Sequence, residues 1–312
     1  MRSIAHIINP VSAADNAELF RIQEITFTSI VNAKEYSKGR VDVKTYVTQY
    51  EDAQSIAPAD FKMLANLNRS VSDISAFKIP RKLPLIKDIL DMLYANTDAE
   101  YLIYTNLDIC LMPQFYLTVN DYINNGCDAF VINRRRISGN YNSPSQLEQM
   151  YSEIGKEHTG YDTFVFKRTH YEKFIMKNMC LGIPLVGNDL FYNIFCFAEN
   201  PKLFTDKHLT FHIGMELYKE WGDDEHNKHN QQEFLFLMKD VAPFIDITKF
   251  PGANLNLFSR HFKWLMNPTF HYPTMFIADL KQLGKKRRPA EKERKTMKQR
   301  YVEWLLKRIN FD

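Results

Sequence analysis

The amino-acid sequence predicts an α/β fold, in which helices cover both faces of a mostly parallel central sheet. Short apolar segments alternate with amphipathic ones over residues 1–110, in the order strand, helix, strand, loop, helix, strand. That order is typical of parallel sheets with covering helices. The composition, 45% hydrophobic and 25% charged, is that of an ordinary globular protein and supplies enough apolar material for a full core.

In the first part of the chain, apolar runs closed by polar residues indicate strands, and apolar residues at helical spacing indicate helices. Prolines and polar residues between them indicate an irregular stretch. In chain order the predicted segments are a strand at 4–8, a helix at 15–36, a strand at 41–47, an irregular stretch at 51–81, a helix at 83–94 and a strand at 101–109.

The second part reads less regularly, with shorter apolar runs and one long polar segment. We see no internal repeat, and no low-complexity segment before residue 284. The predicted segments are a helix at 115–124, a strand at 127–132, a polar loop with a short helix at 134–160, a strand at 164–166, a helix at 171–178, a helix at 190–197 and a strand at 209–213.

The net charge of +3 hides a basic tail, because residues 281–312 hold 12 Lys or Arg and 4 Asp or Glu. A charged linker followed by an amphipathic helix at 297–309 fits this stretch. It could lie on an anionic membrane surface, or pack on the domain or on a protein partner. Nucleic acid is the least favoured partner, because the rest of the chain is mildly acidic and offers no basic aromatic groove.

The four cysteines show neither a C-x-x-C pair nor zinc spacing, which predicts reduced core thiols in a cytoplasmic protein. The apolar run at the N-terminus is too short for a signal peptide. No apolar segment approaches the about 20 residues that a membrane span requires. We therefore expect a cytoplasmic protein that is at most peripheral on the inner face of the membrane.

The strand at 101–109 ends in a polar cluster that contains Asn106 and Asp108. In α/β sheets, ligands bind outside the carboxyl ends of such strands. An extended backbone would aim both side chains to the same side. One carboxylate there suffices for a Mg²⁺ ion that already carries a diphosphate. The alternative is that both residues simply end the strand by turn chemistry.

Three blocks in order give the chain a resemblance to a known family. They are Thr105-Asn106-Leu107-Asp108-Ile109, the stretch GYDTFVFKR at 160–168, and Gly187-Asn188-Asp189. With Ile7-Ile8-Asn9-Pro10 at the first strand end, they resemble the nucleotide-diphospho-sugar glycosyltransferases of the GT-A type, over residues 4–215. The family's usual D-x-D motif stands here as Asn-Leu-Asp, with one carboxylate.

The resemblance implies a GT-A fold and a hexosyltransferase-like enzyme that moves a sugar from a nucleotide-diphosphate donor to a saccharide or lipid-linked acceptor. Surface polysaccharide synthesis is the expected setting, with Mn²⁺ or Mg²⁺ as cofactor. Residues 1–280 would form the glycosyltransferase domain, with the donor half at 1–113 and the acceptor half at 114–280. Residues 281–312 would form the basic linker and helix.

The same resemblance suggests roles for individual residues, each with a plainer alternative. His212 is otherwise a structural histidine, Asp189 a helix cap, Asp162 a turn residue, and Lys87 a solvated lysine. The run Arg134-Arg135-Arg136 either meets an acidic acceptor or a phosphate, or lies in a solvated loop. The expected roles are Asp189 as base, Asp162 for acceptor hydroxyls, Asn9 and Gln49 for the nucleoside, Lys87 for the diphosphate, Asn106 and Asp108 for the nucleotide sugar, and Asp108 with His212 for the metal.

Two other functions remain open at this stage. A non-catalytic protein could keep this fold to bind a sugar nucleotide or a protein partner, since the motif holds one carboxylate. A sugar-nucleotide pyrophosphorylase is disfavoured, because such enzymes open with a glycine-rich phosphate loop near residue 10 and this chain has Asn9-Pro10-Val11-Ser12.

Overall fold

A computed structural model of the chain describes residues 1–12, 17–51, 57–205, 207–214 and 224–287. Its strands are β1 (Ser3–Ile8), β2 (Asp42–Val47), β3 (Phe61–Met63), β4 (Tyr101–Thr105), β5 (Cys110–Leu111), β6 (Ala129–Ile137), β7 (Lys156–Lys167), β8 (Pro201–Phe204) and β9 (Thr210–Ile213). Its α-helices are α1 (Ala17–Ser37), α2 (Ile86–Ala95), α3 (Phe115–Asn124), α4 (Leu147–Ser152), α5 (Arg168–Tyr171), α6 (Val186–Phe197), α7 (Asp224–Val241), α8 (Leu257–Met266) and α9 (Tyr272–Arg287).

The strands of the described residues form one sheet in the order β3-β2-β1-β4-β7-β6-β9-β5, and β8 pairs with β6 beside β9. Strands β1 to β4 are mutually parallel, β7 is antiparallel to both of its neighbours, and β6 is parallel to β8 and β9. The α/β class with a mostly parallel sheet is therefore confirmed. Because β4 pairs with β7, one sheet contains strands from both the predicted donor half and the predicted acceptor half.

Helices lie on both faces of this sheet, as predicted. Alternate residues of a strand therefore belong to two different hydrophobic cores, one on each face. Leu102 and Tyr104 of β4 belong to the core under α2 and α6, whereas Tyr101 and Ile103 belong to the core under α1 and α3. Helix α2 buries Ile86, Ile89, Leu90 and Leu93, which are spaced as one helical face.

Several predicted elements were wrong in extent, chiefly where strand pairing between distant residues decides the structure. The predicted loop at 134–160 contains the end of β6, α4 and the start of β7, and the predicted strand at 164–166 is the end of the 12-residue β7. The helix predicted at 171–178 was wrong, because only Tyr171 is helical, as the last residue of α5. The irregular 51–81 includes β3 and a 3-10 turn at Val71–Asp73.

Helix α9 continues to Arg287, so the predicted boundary at residue 280 falls inside a helix. The amphipathic helix predicted at 297–309 lies outside the described residues. In the part of the chain that the structure describes, no helix combines the length and the apolar character needed to cross a membrane.

Candidate active site at the carboxyl end of the parallel strands

The polar cluster after β4 forms a turn, so the expected extended backbone at 106–108 is wrong. Strand β4 ends at Thr105, and the backbone N–H of Ile109 donates to the carbonyl oxygen of Asn106 across 3.2 Å. The turn sends Asn106 and Asp108 toward different partners. Both lie at the carboxyl edge of the sheet, where α/β folds bind ligands.

Asp108 pairs with His212, which β9 brings to the same edge. The two side chains approach with 3.0 Å between Nε2 of His212 and Oδ2 of Asp108, and the carboxylate side chain is 25% exposed. Burial by itself would raise the pKa of Asp108, but the hydrogen bond and charge of His212, with the charge of Arg134, lower it below its ordinary value. The site thus offers a partly accessible anionic oxygen.

Asn106 pairs with Asp162 on β7. Nδ2 of Asn106 donates to Oδ1 of Asp162 across 2.8 Å, and the backbone N–H of Asn106 donates to the carbonyl oxygen of Asp162 across 3.2 Å. The Tyr104 hydroxyl donates to Oδ1 of Asn106 across 2.9 Å, and burial raises the pKa of Tyr104 well above its ordinary value. A protonated Tyr104 fixes which side of the amide faces Asp162.

Arg134 completes this cluster, so it does not lie in the solvated loop that was one of the two expectations for the basic run. Its guanidinium donates to Oδ2 of Asp162, and both side chains are almost fully buried. The register of β6 and β7 shifts twice beside this arginine, between Ile132 and Asn133 and between Asn133 and Arg135. Such irregularities re-aim side chains, and no local sequence signal marks this one beyond the basic run itself.

The predicted nucleoside residues lie along the same edge. Ile7 of β1 is in register with Tyr104, so Asn9, two residues further on, follows the strand beside Asn106. Nδ2 of Asn9 donates to the carbonyl oxygen of Thr48 across 2.7 Å, which links the ends of β1 and β2. Gln49, just beyond, is buried and its backbone carbonyl accepts from Leu67.

Lys87 lies at the start of α2, and its amine pairs with Asp91 one turn later. Because α2 returns to the amino end of β4, its own first turn lies toward the carboxyl edge of the sheet. Lys87 could turn from Asp91 to a bound diphosphate only by breaking an i,i+4 pair, which is worth about 0.5 kcal/mol.

Asp189 hydrogen-bonds residues other than those above. It occupies the first turn of α6, has no exposed surface, and accepts from the backbone N–H of Lys177 (3.0 Å) and from Nδ2 of Asn193 (3.1 Å). Burial raises its pKa to about 8. A general base must come within about 3 Å of the proton it takes, so these surroundings do not favour the predicted base role.

Close packing of α6 against β7 requires the glycine that begins the block Gly187-Asn188-Asp189. A Cβ atom at this position would lie 2.7 Å from the carbonyl oxygen of Tyr161 and 3.4 Å from the ring of Phe164. The missing side chain lets α6 pack directly against β7, and Tyr161 stacks on Phe191 with 5.0 Å between ring centroids. The glycine therefore supports the wall that carries Asp162.

The donor set fits a divalent ion only in part. Among the described residues there is no group of three or more His, Cys, Asp or Glu that could hold a metal ion. Asp108 and His212 give one oxygen and one nitrogen, and buried Nδ1 of His212 has no hydrogen-bond partner in the described part of the chain, whereas metal-binding histidines usually donate through that second nitrogen. The pair suits an ion held mainly by a diphosphate.

The chain matches no protein-family model, and no curated protein sequence matches it. Among solved structures it is similar to Staphylococcus aureus TarS 1-349 in complex with UDP-GlcNAc, at 11% identity over 89% of this chain and 79% of that chain, with a TM-score of 0.43. It is also similar to glucosyl-3-phosphoglycerate synthase of Mycobacterium tuberculosis with Mn²⁺, UDP-glucose and phosphoglyceric acid, at 11% identity over 78% of this chain and 81% of that chain, with a TM-score of 0.43. The same synthase with Mg²⁺ and UDP gives a TM-score of 0.44 at 11% identity and the same coverage. At these values the likeness is limited to the general course of the chain.

Proposed function

We propose that the protein is a glycosyltransferase that moves a sugar from a nucleotide-diphosphate donor to a hydroxyl of a saccharide or lipid-linked acceptor. The observation that carries the proposal is the meeting of two polar pairs, Asp108 with His212 and Asn106 with Asp162, at the carboxyl end of β4. Asn9 follows the neighbouring strand to the same edge. The three sequence blocks and this geometry point to one site.

In the proposed reaction, the oxygen of an acceptor hydroxyl forms a bond to the anomeric carbon of the donor sugar, and the proton of that hydroxyl is released to solvent. The bond from that carbon to the diphosphate oxygen breaks, and its electron pair stays on the diphosphate. A divalent cation bound with the donor would neutralise the diphosphate. Asp108 and His212 are the residues that would hold it. Asn9 and Gln49 would contact the nucleoside.

We propose that Asp162 orients the acceptor. Its two oxygens accept from Asn106 and from Arg134, and each oxygen keeps a second lone pair for a sugar hydroxyl. Arg134 fixes the carboxylate in one orientation, and an oriented acceptor lowers the barrier by reducing the freedom lost in the transition state. Lys87 remains a proposed diphosphate contact, and we propose that Asp189 supports α6.

The test is donor binding, measured by thermal stabilisation of the protein with a panel of nucleotide-diphosphate sugars, with and without Mn²⁺. A donor at about 100 times its Kd should add about 2.7 kcal/mol to the free energy of unfolding. Asp108→Asn keeps the shape of the side chain and removes its charge. Asp121→Asn, on the exposed surface of α3, is the matched control.

Stabilisation by one donor that requires Mn²⁺, is lost in Asp108→Asn and persists in Asp121→Asn would support the proposal. Binding of a donor without release of its sugar to any acceptor would indicate the non-catalytic alternative. Absence of stabilisation by every donor would contradict the glycosyltransferase and favour a non-catalytic protein that binds a protein partner. If the enzyme acts on lipid-linked acceptors for surface polysaccharides, we expect it in the cytoplasm at the inner face of the membrane.

A further inference from the structure

Helix α8 exposes an unusual apolar face. Phe258, Phe262, Leu265 and Met266 lie at helical spacing on one side and are 80%, 56%, 59% and 66% exposed. We call these four residues the α8 face. The opposite side is well packed, because Trp264 is fully buried. Soluble surfaces rarely expose large contiguous apolar patches unless they bind something.

The apolar surface continues onto α9. His261 of α8 contacts Phe276 with 5.4 Å between ring centroids, and Phe276, Ile277 and Leu280 of α9 are all exposed. Ile277 also lines an open groove of about 420 Å³ between α9 and α7, where Lys239 and Lys281 stand beside apolar residues. The helices thus present a broad apolar surface with lysines among it.

The charges of this region are almost all positive. Residues 257–287 contain six Lys or Arg and one acidic residue, Asp279. That carboxylate is buried and accepts hydrogen bonds from Arg260 and His261, so it does not face solvent. Lys263 is exposed and lies between Phe262 and Leu265 in the sequence of α8. The sequence that follows α9 is basic as well.

The combination of exposed apolar side chains and lysines favours a membrane over a protein partner. Lysine is depleted at the centre of protein–protein interfaces. At a membrane surface, by contrast, lysine extends its apolar stem along the hydrocarbon and keeps its ammonium group among the headgroups. The exposed charged side chains that the structure describes on α8 and α9 are Lys263 and Lys281, and their positive charge is complementary to anionic lipid.

The same helices are joined to the candidate site. The connection between α8 and α9 contains Thr269, whose carbonyl accepts from Nδ2 of Asn188 across 3.4 Å. Thr269 also hydrogen-bonds the side chain of Tyr161, the neighbour of Asp162 in the sequence. The α8 face therefore belongs to a unit that is fastened to the acceptor side of the site.

We propose that the α8 face and the exposed residues of α9 lie in the surface of an anionic lipid bilayer and hold the acceptor side of the site against it. The evidence for the membrane contact is the exposed apolar and basic surface, and it does not depend on the proposed function. Its consequence, that the acceptor hydroxyl belongs to a membrane lipid, rests on the proposed function. The contact differs from binding by the basic tail, because here apolar side chains enter the interface.

The first experiment measures sedimentation of the full-length protein with vesicles of phosphatidylglycerol and phosphatidylcholine, and with vesicles of phosphatidylcholine alone. Phe258→Ser with Phe262→Ser leaves the basic tail intact. Ile79→Ser with Ile154→Ser is the matched control, since both isoleucines are exposed to a similar degree outside the surface. We expect the first pair to weaken binding to anionic vesicles by about tenfold or more, since each buried apolar side chain contributes to interfacial affinity, and the control pair to bind like the wild type.

The second experiment detects insertion directly. All four native cysteines are buried, so a cysteine introduced at an exposed position can be labelled selectively. A polarity-sensitive dye on Phe262→Cys should shift to shorter wavelength when anionic vesicles are added, and the same dye on Ile154→Cys should not. Neither experiment needs a sugar nucleotide, so failure of donor binding would leave these results standing.

Three results would overturn the proposal. Wild-type vesicle binding by Phe258→Ser with Phe262→Ser would show that the tail alone binds lipid. An unchanged dye spectrum at position 262 would exclude insertion. Self-association of the wild type in gel filtration with light scattering, abolished by the same pair, would show that a second copy covers the α8 face.

Discussion

Nε2 of His212 lies 3.0 Å from Oδ2 of Asp108, across a separation of more than one hundred residues in the sequence. The pair joins β9 to the turn that follows β4, and it points a partly exposed carboxylate to the edge where ligands bind. If the two residues serve a bound donor as one unit, their contributions to its affinity should not be independent.

We therefore predict that Asp108→Asn and His212→Gln each weaken Mn²⁺-dependent donor binding, and that the double variant is little worse than either single variant. Residues that share one interaction typically show coupling of about 0.5–3 kcal/mol in such cycles. Titration calorimetry with the donor found in the stabilisation screen measures the three affinities. Additive losses would mean that the two side chains act separately.

The second prediction concerns the buried pair of Arg134 and Asp162. Arg134→Met should lower the free energy of unfolding by about 3–5 kcal/mol, because it leaves a buried carboxylate without its charged partner. The double variant Arg134→Met with Asp162→Asn should recover much of that loss. Urea unfolding measures both, with Lys44→Met on the exposed side of β2 as control.

If Arg134 also orients the acceptor through Asp162, Arg134→Lys should fold but raise the KM for the acceptor more than the KM for the donor. Lysine keeps the charge and loses the planar, two-pronged geometry of the guanidinium. Equal effects on both KM values would indicate that the pair only stabilises the fold.

The third prediction is a pH dependence caused by Asp189. Burial raises its pKa to about 8 from the 3.8 expected in the unfolded chain, with Glu233 adding to the rise and Lys177 opposing it. Between about pH 4 and pH 8 the folded protein keeps a proton that the unfolded chain has released. Rising pH therefore lowers the free energy of unfolding.

Asp189→Asn removes this titration, so it should become more stable than the wild type as the pH rises from 5 to 8, by an amount on the order of a few kcal/mol. Urea unfolding at both pH values gives the difference, in which groups common to both proteins cancel. Turnover should persist in the variant. A loss of turnover with unchanged donor binding would restore Asp189 as the base predicted from sequence.

The elements that the sequence predicted well carry local signals. Helix α3 has the predicted bounds, Phe115–Asn124, and β1 begins one residue before its predicted start. In each case the apolar spacing or apolar run is contained within the element itself. Strand β7 was mostly missed, because its polar first half is held as a strand only by pairing with β6.

The candidate site divides in the same way. Asn106 pairs with Asp162 and Asp108 pairs with His212, and all four residues were singled out from the sequence. The contact of Arg134 with Asp162 depends on the register shift between β6 and β7. The burial of Asp189 depends on how α6 packs against its neighbours. Both are consequences of tertiary packing, which overrides what short motifs indicate.

The last prediction tests that packing at Gly187. Gly187→Ala would place a Cβ atom 2.7 Å from the carbonyl oxygen of Tyr161, so α6 must move away from β7. We expect a loss of about 1–3 kcal/mol in the free energy of unfolding, with a raised KM for the acceptor because Asp162 follows Tyr161. Gly39→Ala is the control: its φ of +78° strains any side chain, but a Cβ there meets nothing within 4 Å. It should cost about 1 kcal/mol and leave both KM values unchanged. If Gly187→Ala instead changed stability alone, the wall formed by α6 would support the fold without positioning the acceptor.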